Sequence, residues 1–353
     1  MRENDTPIRP LLVLNSSLAL LLLVMGAVTI LSGASCSKSS TTDDLVGNWS
    51  RQSEFEGDGR TEAVSFTIGN NVYVGGGYDG NDRLVDFWVF DQPTGTWFRK
   101  ADFPGTPRNS AVAFSINGKG YVGTGYDAND NKLKDFWEYD PATDVWTRKA
   151  DFAGTARYNA VGFSINEKGY IATGYDGNYL KDMWEYSPAA NAWTQKASMT
   201  GSKRTEASVF VYNNLAYIVS GFNNGSYLND FWAYNPATNT WAEKRKISSV
   251  SSDSYDDDYG DKIRRGNAVA FVMGNKAYLT CGSRNGVIGT TWEYTIDNDT
   301  WAQKTSFEGS AREGALAFTI NGKGFIVTGS NSSYRFDDLW EFFPDAEQND
   351  NDN

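Results

Sequence analysis

Asp135-Phe136-Trp137-Glu138-Tyr139 alternates large apolar and polar side chains, Asp140-Pro141-Ala142-Thr143 is a turn, and Val145-Trp146-Thr147-Arg148-Lys149 alternates again. Period-two alternation is the pattern of a half-buried strand, so the stretch predicts two antiparallel strands joined by a tight connection. Working outward, Ala111-Val112-Ala113-Phe114-Ser115-Ile116 is an apolar, small-residue strand. Asn117-Gly118 is a two-residue hairpin signal, and Tyr121-Val122-Gly123-Thr124-Gly125 is the next strand. The connection from Tyr126 to Lys132 is rich in Asp and Asn. These four strands occupy about 48 residues, the size of one propeller blade.

The unit recurs. All 12 tryptophans fall into two series. One is Trp88, Trp137, Trp184, Trp232, Trp292 and Trp340; the other is Trp49, Trp97, Trp146, Trp193, Trp241 and Trp301. Steps are 47 to 49 residues apart from a single step of 60 in each series, and the two together mark one insertion between Trp241 and Trp292. A glycine keeps the same beat at Gly77, Gly125, Gly174, Gly221, Gly282 and Gly329, and so does an arginine at Arg60, Arg108, Arg157, Arg204, Arg265 and Arg312. An aspartate stands two before the first-series tryptophan at Asp86, Asp135, Asp182, Asp230 and Asp338, with Thr290 in the fifth copy. A fixed period of this length is the signature of a repeat architecture. The expectation is an all-β, six-bladed propeller with four antiparallel strands per blade.

This order of Arg, small apolar strand, Gly-containing strand, Leu-x-Asp-x-Trp-x-Tyr and second Trp resembles a kelch repeat over roughly residues 45–343. The chain departs from the kelch pattern at the Gly-Gly doublet. It is kept at Gly75 to Gly77, whereas Thr124, Thr173, Ser220, Cys281 or Thr328 precedes the glycine elsewhere. Trp49 precedes the first repeat arginine, and the last copy ends near Pro344 without its second tryptophan. Residues 46–55 are therefore expected to supply the outer strand of the last blade, closing the ring and pairing an otherwise open edge.

The N-terminus reads as an export signal. Arg2 and Arg9 precede an apolar run from Leu11 to Leu31, then Ser32-Gly33-Ala34-Ser35 and Cys36. Cysteine after small residues resembles a bacterial lipobox, with Gly33 where Leu or Val usually stands. Residues 1–36 are read as a signal ending at a lipidated Cys36, 37–44 as a tether, 45–344 as the propeller, and 345–353 as a disordered acidic tail. An uncleaved anchor helix is the alternative, since this run of 21 residues, broken only by Asn15, Ser16, Ser17 and Thr29, could span a bilayer. Either way the expected location is the bacterial cell envelope, as a monomer.

Composition excludes several functions. With 44 Asp and Glu against 32 Lys and Arg the net charge is −12, unsuited to nucleic acid. There is no histidine, which rules out His triads, His bases and His metal ligands. Galactose oxidases share the propeller, but that resemblance implies copper held by histidines, which this chain lacks. Beyond Cys36, Cys281 is the one other cysteine, so the propeller has no internal disulfide.

Candidate binding residues follow from the repeat. Arg60, Arg108, Arg157, Arg204, Arg265 and Arg312 each precede an innermost strand, and symmetry would set them around one mouth of the central channel. A dehydrated guanidinium needs a carboxylate, a carbonyl or an anionic ligand. Glu62, Glu206 and Glu313 are the nearest carboxylates in sequence, with Ser110, Asn159 and Asn267 at or near the matching places elsewhere. The arginines are thus either structural or anion-binding. The aspartate series is expected to hydrogen-bond a neighbouring turn, and the tryptophans to pack between blades. On the same face Tyr78, Tyr126, Tyr175 and Phe222 follow the repeated glycine in four copies, and Ser283 and Ser330 replace them in two. Such an arc suits sugar stacking or a protein partner, with rim packing as the alternative. The insertion carries Asp253 and Asp256-Asp257-Asp258, hard oxygen ligands for Ca²⁺ or simply a solvated acidic loop; no other cofactor is indicated.

Two functions remain. One is an envelope-anchored module that binds a glycan or an extracytoplasmic protein. The other is suggested by a resemblance to kelch-type sialic acid mutarotases, which are exported propellers. That resemblance implies arginine for a substrate carboxylate and a carboxylate for proton transfer, with Arg157, Arg204 and Glu206 as the candidates.

Overall fold

A computed structural model describes residues 45–245 and 263–351 of the chain. Cys36, the tether and the acidic insertion with Asp256, Asp257 and Asp258 lie outside the described residues. The described part is all-β, with six four-stranded antiparallel sheets. Five are sequential blades spanning 64–100, 112–149, 161–196, 208–244 and 269–304. The sixth combines Leu316–Ile320, Lys323–Val327 and Asp338–Phe343 with the N-terminal strand Asn48–Glu54.

Closure is as the tryptophan count predicts. Trp49 pairs with Phe342 and Arg51 with Trp340. The Trp49 ring is fully buried and stacks on Phe342 at 4.4 Å, with its edge on Phe307 at 5.1 Å and Phe271 at 6.3 Å. It therefore joins blade six to blade five. Past the last strand, Ala346 O accepts from Gly47 N, and Asn48 Oδ1 accepts from Asn349 N.

Local choices match the expected turns. Asn117 and Gly118 take φ of 49° and 74°, the left-handed pair that a type I′ hairpin needs. The following strand runs Lys119–Gly123, earlier than the sequence pattern suggests. Thr124 and Gly125, at φ 62° and 90°, have left the β region. That left-handed pair recurs in every blade, and threonine fills its first place at Thr124, Thr173 and Thr328. A β-branched residue there stores roughly 1–3 kcal/mol of strain.

Blades pack through aromatic faces. Trp146 of blade two meets Phe87 and Phe103 of blade one at 4.9 and 5.2 Å, and its indole N–H donates to Ala101 O. Each buried aromatic contributes about 1.5–3 kcal/mol.

The arginine column belongs to this framework, and the expectation that it rings the channel mouth is corrected. All six side chains are at most 2% exposed. Arg60 Nη1 and Nη2 donate to Asp86 Oδ1 and Oδ2 at 2.6 and 2.8 Å, Nη1 also to Gly76 O, and Nε to Asp58 O. Arg108–Asp135, Arg157–Asp182 and Arg312–Asp338 repeat this fork; Arg204 reaches Asp230 through Nη2 alone. In blade five Thr290 Oγ1 accepts from Arg265 Nη2 at 2.6 Å. The aspartates thus bind the arginines, not a neighbouring turn, and also accept the indole N–H two residues on, as Asp86 does from Trp88 at 2.7 Å. Burial raises an aspartate pKa, yet the Arg60 bonds outweigh it and hold Asp86 below its ordinary range. The arginine carbonyl is used as well: the repeated glycine N–H of each blade donates to the next blade's arginine, from Gly77 to Arg108 around to Gly329 to Arg60.

Candidate functional site at the channel mouth

Two residues after each arginine the backbone turns into the left-handed region, at Glu62, Ser110, Asn159, Glu206, Asn267 and Gly314. There each N–H donates to the carbonyl of the preceding blade's equivalent residue: Glu62 to Gly314, Ser110 to Glu62, Asn159 to Ser110, Glu206 to Asn159, Asn267 to Glu206, and Gly314 to Asn267. The result is a closed ring of backbone hydrogen bonds, 2.8–3.1 Å long, around the channel. Ala63, Ala111, Ala160, Ala207, Ala268 and Ala315 line the next level. Small side chains there keep the bore open, while the ring side chains form its polar mouth.

The polar ring is uneven. Ser110 Oγ and Asn109 Nδ2 donate to Glu62 Oε2, and Arg83 Nε donates to Asn109 Oδ1 at 2.7 Å. Glu313 Oε2 accepts from Ser283 Oγ at 2.6 Å. Glu206 differs: among the described residues no donor reaches its carboxylate. It lies against Gly266, where a Cβ would collide with Glu206 Oε2 and come within 3.3 Å of the Tyr227 ring. Burial, reinforced by the nearby charges of Glu62 and Glu313, pushes its carboxyl up to about 7. Asparagine and glycine adopt the left-handed conformation cheaply, and a glutamate does so at a cost. Glu62 at φ 52° and Glu206 at φ 59° are therefore strained positions that carry charge, a combination typical of functional sites.

The aromatic arc expected over four blades is present and longer. The residue after each arginine pairs with the residue after each repeated glycine: Thr61 with Tyr78, Asn109 with Tyr126, Tyr158 with Tyr175 and Thr205 with Phe222. Tyr158 lies 4.7 Å from Tyr126 and 5.6 Å from Tyr175. Tyr175 meets Tyr179 at 5.1 Å, Tyr179 meets Phe222 at 6.0 Å, and Phe222 meets Tyr227 at 5.1 Å. These rings are all partly exposed. Tyr158 is raised above its ordinary range by burial, then by Tyr126, Tyr175, Glu206 and Glu62, which places it electrostatically beside the carboxylates. Blades five and six have Gly266–Ser283 and Glu313–Ser330 instead, so the mouth has an aromatic side and a small, polar side.

Of the sequence candidates, the structure brings together Glu206, Tyr126, Tyr175 and Phe222 and seats Tyr78 beside them. It removes Arg157 and Arg204 to the framework, with Arg60, Arg108, Arg265 and Arg312. Sequence reasoning missed Tyr158, Tyr179, Tyr227 and Arg83. Tyr158 was discoverable: the column after the arginine reads Thr61, Asn109, Tyr158, Thr205, Gly266, Glu313, a variable position beside an invariant one. Among the described residues no group of three or more Cys, Asp or Glu side chains is arranged to hold a metal ion.

The repeat has recognisable relatives. The kelch-repeats domain model of KLHDC2, KLHL20 and DRC7 matches residues 111–256, and the kelch motif model matches residues 59–104. The chain carries kelch repeats across these residues. Among solved structures, this kelch propeller is similar to YjhT with a TM-score of 0.69 at 16% identity, covering 82% of this chain and 95% of that one. At this identity the likeness speaks for the fold. No curated protein matches the chain by sequence.

Proposed function

We propose that this kelch propeller is a carbohydrate-binding protein whose site is the depression over the channel mouth. One observation carries the reading: a run of partly exposed aromatic rings, Tyr126, Tyr158, Tyr175, Tyr179 and Phe222, borders the Glu62 and Glu206 carboxylates. Sugar rings stack on aromatic faces through their C–H surface, while their hydroxyls donate to carboxylates and amides. A protein partner would favour a flatter, more apolar patch with few charges at its centre. A thermal-shift panel of neutral and acidic sugars should raise the wild-type Tm, and Tyr175→Ala should lose most of that shift. A panel with no shift at all would turn the reading toward a protein ligand.

A second reading, sialic acid mutarotation, is favoured by Glu206. A carboxyl group titrating near 7 can both give and take a proton at neutral pH. Anomer exchange needs that pair of steps: the anomeric hydroxyl loses a proton as the ring oxygen gains one, the ring opens, and reclosure reverses both transfers. Proton NMR of anomer exchange in free sialic acid should show acceleration by the wild type and its loss in Glu206→Gln. Equal exchange rates with and without protein would leave binding alone.

We further propose that the protein acts outside the cytoplasm, held by a lipid on Cys36. The charged head, apolar run and small residues before that cysteine support this. Cys36→Ser should shift the protein from the membrane to the soluble fraction, and unchanged partitioning would contradict lipidation.

A further inference from the structure

The residue that pairs with the Tyr column changes chemistry around the ring. It is Arg335, Arg83 and Lys132 on the consecutive blades six, one and two, Tyr179 and Tyr227 on blades three and four, and Val287 on blade five. The face is therefore polarised, with a basic sector beside the aromatic one. Two guanidinium groups approach the Tyr78 ring, Arg83 Cζ at 5.6 Å and Arg335 Cζ at 5.5 Å from its centre. Arg83 also lies 4.6 Å over Tyr126. The carboxylate in ion-pair range of Arg83 is Asp130, whose Oδ1 is 4.0 Å away and whose side chain is 89% exposed, a weak counter-charge; Asp127 feels the Arg83 charge as well, as the last of the causes that lower its pKa. Arg335 Nε is buried and has no hydrogen-bond partner among the described residues. A buried N–H without an acceptor is costly, and two cations on one ring repel unless an anion joins them.

We infer that Arg335, Arg83 and Lys132 form a site for a tetrahedral oxyanion, the phosphate or sulfate ester of a sugar whose ring rests on the adjoining aromatic run. The inference extends the carbohydrate reading, but the anion site stands on its own residues and is testable without any sugar. The two arginines lie against the Tyr78 and Tyr126 rings and Lys132 pairs with Tyr126 across its loop, and a tetrahedral group presents charged acceptors in several directions at once. The link from Arg83 through Asn109 to Glu62 connects this sector with the channel mouth, so an ester group bound here would set the sugar beside Glu62.

The test uses the purified, folded chain and calorimetric titration with inorganic phosphate, inorganic sulfate, sodium acetate and glucose 6-phosphate. Phosphate or sulfate should bind wild type, and Arg335→Gln and Arg83→Gln should each weaken it by about tenfold or more, with acetate at least tenfold weaker than the better oxyanion. Lys132→Gln is the variant least able to disturb folding, because its side chain is partly exposed, and a several-fold loss is expected there. Tighter binding of glucose 6-phosphate than of inorganic phosphate identifies an ester; the reverse order identifies a free anion and overturns the ester assignment. Failure of both oxyanions to bind, equal binding of acetate, or unchanged affinity in all three variants would overturn the site. None of those results bears on whether Tyr175→Ala abolishes binding of an uncharged sugar, so the two readings fail separately.

Discussion

Glu206 shows most plainly what one side chain does in this molecule. Its backbone is in the left-handed region and its carboxyl is desolvated beside two other glutamates. Both features work against stability. In the unfolded chain the group ionises near 4.5, while in the fold it holds its proton to about 7. Between those values the native state binds more protons than the unfolded state, so stability falls as pH rises through that window. The loss is on the order of 3 kcal/mol, because one pKa unit corresponds to about 1.4 kcal/mol. Glu206→Gln abolishes the titration. Measured by thermal or urea unfolding, the variant should gain on wild type as pH rises from 4 to 8. A difference that does not change over this range would mean that Glu206 is not desolvated. The arginines teach the opposite lesson. They look like ligand residues in sequence because six charges demand partners, and the partner was present as a second column 25 to 27 residues downstream. The two columns were each legible, but their pairing required knowing that the strand carrying the aspartate returns beside the loop carrying the arginine.

At the scale of elements, the strand Asn48–Glu54 completes the ring. Its loss would expose the edge of Asp338–Phe343, empty the Trp49 pocket between blades five and six, and release the Ala346 and Asn349 contacts. Deletion of residues 45–56 should lower the Tm of the entire propeller in a single transition, as circular dichroism would record; melting like the full domain would contradict closure by this strand. This element was readable in advance because tryptophans are rare and their count showed one outer strand missing at the end and one spare at the start. The loop elements were less readable. Tyr78, Tyr126, Tyr175 and Phe222 stood out by following a fixed glycine, whereas Tyr179, Tyr227 and Arg83 lie at variable distances along loops of unequal length. Register there is set by short bridges that no sequence period encodes.

On the scale of the whole molecule, six near-identical blades hold a face that is not six-fold. The framework columns repeat: arginine, glycine and tryptophan in every copy, aspartate in all but the fifth. The columns at the mouth do not repeat. Reading around the ring from blade one, the residue after the glycine and its partner across the loop pass from aromatic with basic (Tyr78 and Arg83, Tyr126 and Lys132) through aromatic with aromatic (Tyr175 and Tyr179, Phe222 and Tyr227) to the small Ser283 and Ser330 of blades five and six. Symmetry was therefore the easy part to read, and the departures from it carry the function. Isothermal titration calorimetry of the most stabilising sugar against wild type and Tyr175→Ala tests this account most directly. It predicts saturable binding to wild type and roughly tenfold weaker binding to the variant, about 1.4 kcal/mol for one lost stacking ring. Identical affinity in the two proteins, or no saturable heat with any sugar, would contradict a carbohydrate site at the channel mouth.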